Sequence, residues 1–117
     1  MLLAGKSVTC FMLAIIGGSG LYELDGLRIE HEHRMTTPFG VPSSTIVQGT
    51  YHDQDVLFLA RHGANHALLP SEVNYRANIF ALKQLGARRV VGISASGSLR
   101  QELKPGDLAL VAQYFDH

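Results

Sequence analysis

Leu59-Ala60-Arg61-His62-Gly63-Ala64-Asn65-His66, followed by Leu69-Pro70-Ser71-Glu72-Val73-Asn74-Tyr75-Arg76-Ala77-Asn78, decides how the chain reads. Asp55 to Ala60 is a short apolar run of strand length, and it leaves into a turn carrying one guanidinium and two imidazoles. Pro70-Ser71 then predicts a helix start, with Ser71 as N-cap and Glu72 in the first turn. Val73, Ala77, Phe80 and Ala81 share one face at helical spacing, and Lys83 and Gly86 mark the end. A cationic turn between a strand exit and a helix start is suited to holding an anion.

Working outward, Leu13-Ala14-Ile15-Ile16 reads as a buried strand ending in the glycine turn Gly17-Gly18-Ser19-Gly20. Residues 24–34 are polar and mixed, and Leu27, Ile29, His31 and His33 alternate weakly like a strand. Residues 36–43 are punctuated loop. Ser44 to Gly49 and Asp55 to Ala60 predict two strands joined through residues 50–54 as a hairpin. Arg89 to Ile93 is a β-branched strand that runs into Ser94-Ala95-Ser96-Gly97-Ser98. Lys104-Pro105-Gly106-Asp107 is a turn before a last strand, Leu108 to Ala112. Strands with one convincing helix between them make an α/β chain without repeats or linkers.

The bulk numbers fit one small globular domain. The 117 residues are 46% hydrophobic and 17% charged, which argues against disorder. Ten basic and ten acidic residues cancel, so no global field favours nucleic acid or an anionic membrane. Any anion site is therefore local. The single cysteine, Cys10, excludes an internal disulfide and makes the reducing cytoplasm the expected compartment. Met1 to Ile16 is mostly apolar, yet no small-x-small cleavage site follows and the run is too short to span a bilayer.

Phosphate binding needs fixed positive charge, short hydroxyl donors and accessible backbone N–H groups. Arg61 supplies a planar fork that matches two phosphate oxygens, and His62 a donor whose charge depends on pH. Ser19 and Ser94 are hydroxyls at strand exits, where glycines let amides approach a ligand. Each piece alone is ordinary: a glycine turn is usually only a turn, and a lone Arg or His is usually a surface or structural residue. Three such exits in one chain change that balance.

Competing motifs fail on spacing. No Walker string Gly-x-x-x-x-Gly-Lys-Ser/Thr occurs, and the dinucleotide fingerprint needs a glycine where Glu23 stands. His31 and His33, or His62 and His66, could suggest zinc, but no HExxH pattern or cysteine pair supports a metal. His31, His33, His52 and His117 are read as surface or polar-strand residues.

These segments together resemble the purine nucleoside phosphorylase family, closest to its methylthioadenosine/methylthioinosine phosphorylase branch. Ile15-Ile16-Gly17-Gly18-Ser19-Gly20 is similar to the family's first-strand segment, which assigns Ser19 to phosphate. Ala60-Arg61-His62-Gly63 matches the family's phosphate-binding Arg-His segment, with Asn65 and His66 continuing toward the sugar. Residues 70–79 resemble its helix-opening signature, in which Asn74, Tyr75 and Asn78 chiefly organise neighbouring loops. Ser94-Ala95-Ser96-Gly97-Ser98-Leu99-Arg100 resembles the motif whose first two residues bind phosphate, here Ser94 and the backbone of Ala95. Ser96 and Gly97 would let a purine lie flat. The resemblance from Ser43 to Ala60 and from Arg88 to Asp116 leans toward the methylthio branch.

The resemblance implies a three-layer phosphorylase-type α/β fold with a central mixed sheet, truncated after its N-terminal half. Residues 12–117 are the expected incomplete phosphorylase domain, and residues 1–11, preceding Met12, an extension outside it. The implied reaction is reversible phosphorolysis of a purine nucleoside, S-methyl-5'-thioadenosine or S-methyl-5'-thioinosine, by a cytoplasmic homotrimer. Phosphate is the co-substrate and no cofactor or metal is expected. The family's base-protonating residue and sugar contacts lie in its second half; Asp107 and Asp116 do not match them, so no catalytic residue is assigned here. The alternative is a non-catalytic phosphate-binding fragment.

Overall fold

The computed structural model of the chain describes residues 11–18 and 25–115. The expected extension therefore lies outside the described residues except for Phe11, and so do Ser19, Asp116 and His117. Five strands, β1 (Met12–Gly17), β2 (Arg28–His33), β3 (Ile46–Tyr51), β4 (Gln54–Ala60) and β5 (Ala87–Gly92), form one sheet in the order β2-β3-β4-β1-β5. β3 runs antiparallel to both of its neighbours, β2 and β4, whereas β4, β1 and β5 are mutually parallel. The mixed sheet of the expected α/β fold is present. Helix α1 (Tyr75–Gln84) carries the chain from β4 over to β5, passing β1.

β4 is buried from Val56 to Ala60 because both of its faces are covered, so its sequence is continuously apolar instead of alternating. Leu57 and Leu59 pack with Ala14, Ile46, Ala81 and Leu82 beneath α1. Val56 and Phe58 point the other way and pack with Val47, Leu13, Ile15, Leu27 and Tyr51. The described residues thus supply the sheet and one helical layer. β2 is the polar edge, which explains its weak alternation. A bulge between Ile29 and His31 brings the Arg28 carbonyl over Gly49, where a Cβ would lie 2.5 Å from that oxygen.

The hairpin is tighter than residues 50–54 suggest. Tyr51 pairs with Gln54, leaving only His52 and Asp53 in the turn, at φ of 46° and 61°. Positive φ at both central residues is the type I′ turn, whose twist matches the flanking strands.

The helix start also needs correction. Pro70–Glu72 form a separate 3-10 turn, in which the Leu69 N–H donates to Glu72 Oε2 at 2.8 Å. Val73 is extended, and the cap of α1 is Asn74, whose Oδ1 accepts from the Ala77 N–H at 3.1 Å. Ser71 is exposed and caps nothing. The buried residues of α1 are Ala77, Asn78, Ala81 and Leu82, and Phe80 lies instead at its margin against Phe39. Gly86 ends it at φ 94°, as Lys83 and Gly86 suggest.

β5 is an exposed edge, and every described residue after it is exposed. The expected strand Leu108 to Ala112 does not form among the described residues. That segment pairs with no strand, and Leu108 and Leu110 are fully exposed. Strand character needs a neighbouring ladder to accept it, and an apolar run alone supplies none. The turn at 104–107 does form, with Asp107 Oδ2 accepting from the Lys104 N–H at 2.8 Å.

The two cap assignments are separable by mutation. Asn74→Ala should destabilise the chain by about 1 kcal/mol or more in urea unfolding, and Ser71→Ala by less than about 0.5 kcal/mol.

Candidate functional site

The three parallel strands β4, β1 and β5 release their chains at the same end of the sheet. The register pairs Gly17 with Ala60 and Ile16 with Gly92, so the exits are level. The ladder continues one bond past each strand: Arg61 N–H donates to the Gly17 carbonyl at 3.0 Å, and Ile93 N–H to the Ile16 carbonyl at 2.8 Å. Neighbouring strands lie about 4.8 Å apart, which puts the β4 and β5 exits roughly 10 Å apart across β1. Arg61 and His62 thus leave on one side, Ser94 and Ala95 on the other, and the Gly17-Gly18 exit of β1 between them. Ser19 follows Gly18 outside the described residues.

Arg61 and His62 are half-buried and touch each other. The His62 Nδ1 lies 3.1 Å from the Leu68 carbonyl oxygen, which can only accept, so Nδ1 carries the proton. Nε2 then presents a lone pair, and Arg61 Nε donates to it at 3.3 Å. Leu68 N–H also donates to the His62 carbonyl at 2.9 Å, so one residue grips both ring and backbone. A proton added at Nε2 would break the contact to Arg61 and leave two cationic donors facing the same space.

The turn beyond is built from unusual backbone. Gly63 has φ 74° and ψ −176°, a region essentially reserved for glycine. Asn65 and His66 both adopt left-handed conformations, at φ 56° and 55°. Asn tolerates this well and His less so. The reversal lays the His66 ring on the His62 ring, with centroids 6.0 Å apart and planes within 11°. His66 is exposed beside the pair.

Ser94, Ala95, Ser96 and Gly97 are exposed and carry no regular structure. The register brings their strand exit to the site's edge, but no hydrogen bond joins them to Arg61 or His62 among the described residues. Asp107 is occupied in its own turn. His33 Nε2 bonds Gln48 Oε1 at 2.8 Å on the polar edge, as a strand-surface residue.

Ser43 and Ser44 carry no site role in the sequence reading, yet both touch the site's base. Ser44 Oγ accepts from the Ala60 N–H at 3.0 Å, and the Ser43 carbonyl lies against Gly63. Both residues, with Ala60, Ala64, Val47 and Glu32, also line a cleft of about 440 Å³ beside the turn.

Comparison with known proteins identifies the family of the chain. The sequence profile of the Phosphorylase superfamily matches residues 12–117. The chain belongs to that superfamily. It is 47% identical over 105 residues to an S-methyl-5'-thioadenosine phosphorylase of Geobacter sulfurreducens, covering 90% of this chain and 37% of that protein. It is 50% identical over 104 residues to the same enzyme of Koribacter versatilis, covering 89% and 36%. The fold matches a methylthioadenosine phosphorylase from an antarctic soil metagenomic library with a TM-score of 0.75 at 54% identity, over 80% of this chain and 32% of that one. It also matches the Schistosoma mansoni methylthioadenosine phosphorylase solved in complex with adenine, with a TM-score of 0.74 at 46% identity, over 82% and 35%. The chain spans about a third of the length of the curated relatives it matches.

For this superfamily member the turn at Gly63 is a sharp test. Gly63→Ala forces a Cβ into a glycine-only conformation, with the Ser43 carbonyl oxygen 3.0 Å away. Loss of about 1–3 kcal/mol in unfolding free energy is expected, against less than about 0.5 kcal/mol for the exposed Ala64→Ser.

Proposed function

We propose that the level exits of β4, β1 and β5 form the phosphate subsite of a purine nucleoside phosphorylase. Its ligands are Ser19, Arg61, His62, Ser94 and the backbone N–H of Ala95. His66, Ser96 and Gly97 lie nearer the nucleoside. The observation that carries the reading is the register that brings the Arg61-His62 turn, the Gly17-Gly18 exit and the Ser94-Ala95 segment to one end of the sheet. Loops at the carboxyl ends of parallel strands are the usual ligand position in α/β sheets.

Phosphate held here would face the anomeric carbon of a bound nucleoside. One phosphate oxygen forms the new bond to that carbon as the glycosidic C–N bond breaks, and the electron pair of that bond leaves with the purine. The base takes up a proton, and the products are free purine and a ribose 1-phosphate. Arg61 and the hydroxyls orient the nucleophile, and its retained negative charge faces the positive charge developing on the sugar. No side chain among the described residues is assigned to the base's proton. The activity accordingly belongs to a chain of the relatives' length, acting as a cytoplasmic homotrimer with phosphate as co-substrate and no cofactor. Among the described residues, no helix is long and apolar enough to cross a membrane. Relatives named for S-methyl-5'-thioadenosine favour that substrate or its inosine counterpart.

A second reading, a phosphate-binding fragment without catalysis, is favoured by the 94–114 segment, which is exposed and joins no strand of the sheet. The two readings part on one experiment. The chain extended to its full reading frame is assayed for phosphorolysis of methylthioadenosine, methylthioinosine and inosine, beside an Arg61→Ala variant and the 117-residue chain alone. Turnover of a methylthio substrate is expected, with kcat/KM lowered at least about a hundredfold in Arg61→Ala. Arg61→Lys should not restore it, because an ammonium lacks the fork. The 117-residue chain should show no turnover. Full activity in Arg61→Ala would overturn the site assignment, and inactivity of the extended chain on all three nucleosides would leave the fragment reading.

A further inference from the structure

Helix α1 reaches the candidate site without touching the ligand space. Asn78 is 2% exposed and spends its amide on a single residue across the chain. Its Oδ1 accepts from the Ser43 N–H at 2.8 Å, and its Nδ2 donates to Ser43 Oγ at 2.9 Å. One turn earlier on the same face, Asn74 Nδ2 donates to the Phe39 carbonyl at 2.7 Å. The helix therefore holds the loop of residues 37–44 at two points.

What the loop does next gives the contact its meaning. Ser44 Oγ accepts the N–H of Ala60, the residue immediately before Arg61. The Ser43 carbonyl packs against Gly63, the residue immediately after His62, closely enough that a Cβ there would lie 3.0 Å away. The loop thus brackets the Arg61-His62 pair from both sides, and Asn78 fixes the bracket. A buried amide that serves only packing is normally better replaced by an apolar side chain, because its desolvation is recovered only through complete pairing.

We propose that Asn78 is a positioning residue for the anion site, acting through Ser43 and Ser44 to set the turn that presents Arg61 and His62. The proposal rests on the reading of that pair as phosphate ligands for its affinity consequence. Its geometric consequence stands independently: the held turn keeps His62 in the Nδ1-protonated form with Nε2 accepting from Arg61. Loosening the bracket lets the ring exchange between its two neutral tautomers.

The test uses the 117-residue chain labelled with ¹⁵N-histidine. The imidazole signals of His62 are assigned by their loss in His62→Gln, and inorganic phosphate is titrated in parallel. Four proteins are compared: the parent, Asn78→Ala, Ser44→Ala, and Val56→Ala. Val56 is buried on the sheet face away from α1, so its truncation lowers stability without touching the bracket. Asn78→Ala and Ser44→Ala should move His62 from one tautomer to a mixture and weaken phosphate binding about tenfold or more. Val56→Ala should lower the Tm and leave both readouts as in the parent. Should Asn78→Ala fail to fold, Ser44→Ala, which removes one half-buried hydroxyl, decides the matter alone. His62 signals unchanged in the folded bracket variants, or shifted equally in Val56→Ala, would overturn the proposal. A parent that binds no phosphate while the bracket variants still shift His62 would sink the phosphate reading and leave the positioning role standing.

Discussion

The parallel ladder joining β4, β1 and β5 is the constraint on which the rest of this molecule depends. Its hydrogen bonds do not stop with the strands but run one step beyond, through the Arg61 and Ile93 amides to the carbonyls of Gly17 and Ile16. Those two bonds turn three sequence-distant loops into neighbours. A shift of one residue of β4 in its pairing with β1 would reverse every side chain of that strand and drive Leu57 and Leu59 away from α1. The two buried faces of β4 forbid that shift. Core packing and site geometry are therefore one constraint expressed at two ends of the same strands.

The second support comes from the helix. α1 covers the sheet with small residues, Ala77 and Ala81, which bring its backbone close, and Leu82 fills the space beside Leu57 and Leu59. That close approach lets Asn74 and Asn78 reach a loop 35 residues earlier in the chain. The polar groups of this interface are all satisfied: among the described residues, no buried side-chain nitrogen or oxygen lacks a partner. Rigid support of this kind allows the turn to hold Gly63, Asn65 and His66 in conformations that an isolated peptide would avoid.

Much of the fold was legible in local pattern. The apolar runs at Leu13 to Ile16 and Asp55 to Ala60, the β-branched run before Ser94, and the helix ending at Gly86 all appear where their residues suggest. The failures share a cause. Ser71 looks like an N-cap by type, but Pro70 starts a 3-10 turn and Val73 breaks it, so Asn74 takes the role. Leu108 to Ala112 is an apolar run of strand length, but no ladder receives it among the described residues. Residues 50–54 look like a loop, yet positive φ at His52 and Asp53 compresses the connection to two residues. In each case a competing local geometry or an absent neighbour outweighed residue preference.

The sequence by itself determined the chemistry on offer: a guanidinium and imidazoles at one strand exit, glycines and serines at two others, and motifs specific enough to mark a phosphorylase. Those properties are local, carried by residue type and spacing along the chain. Only the tertiary structure decided that the three exits are level and adjacent, because strand order and register are set by hydrogen bonds and packing between distant segments. It also decided that Ser43, Ser44 and Asn78 belong beneath the Arg61-His62 turn. Their side chains meet across 35 residues of sequence, and no spacing rule along a chain encodes a contact made only when helix and sheet close on each other.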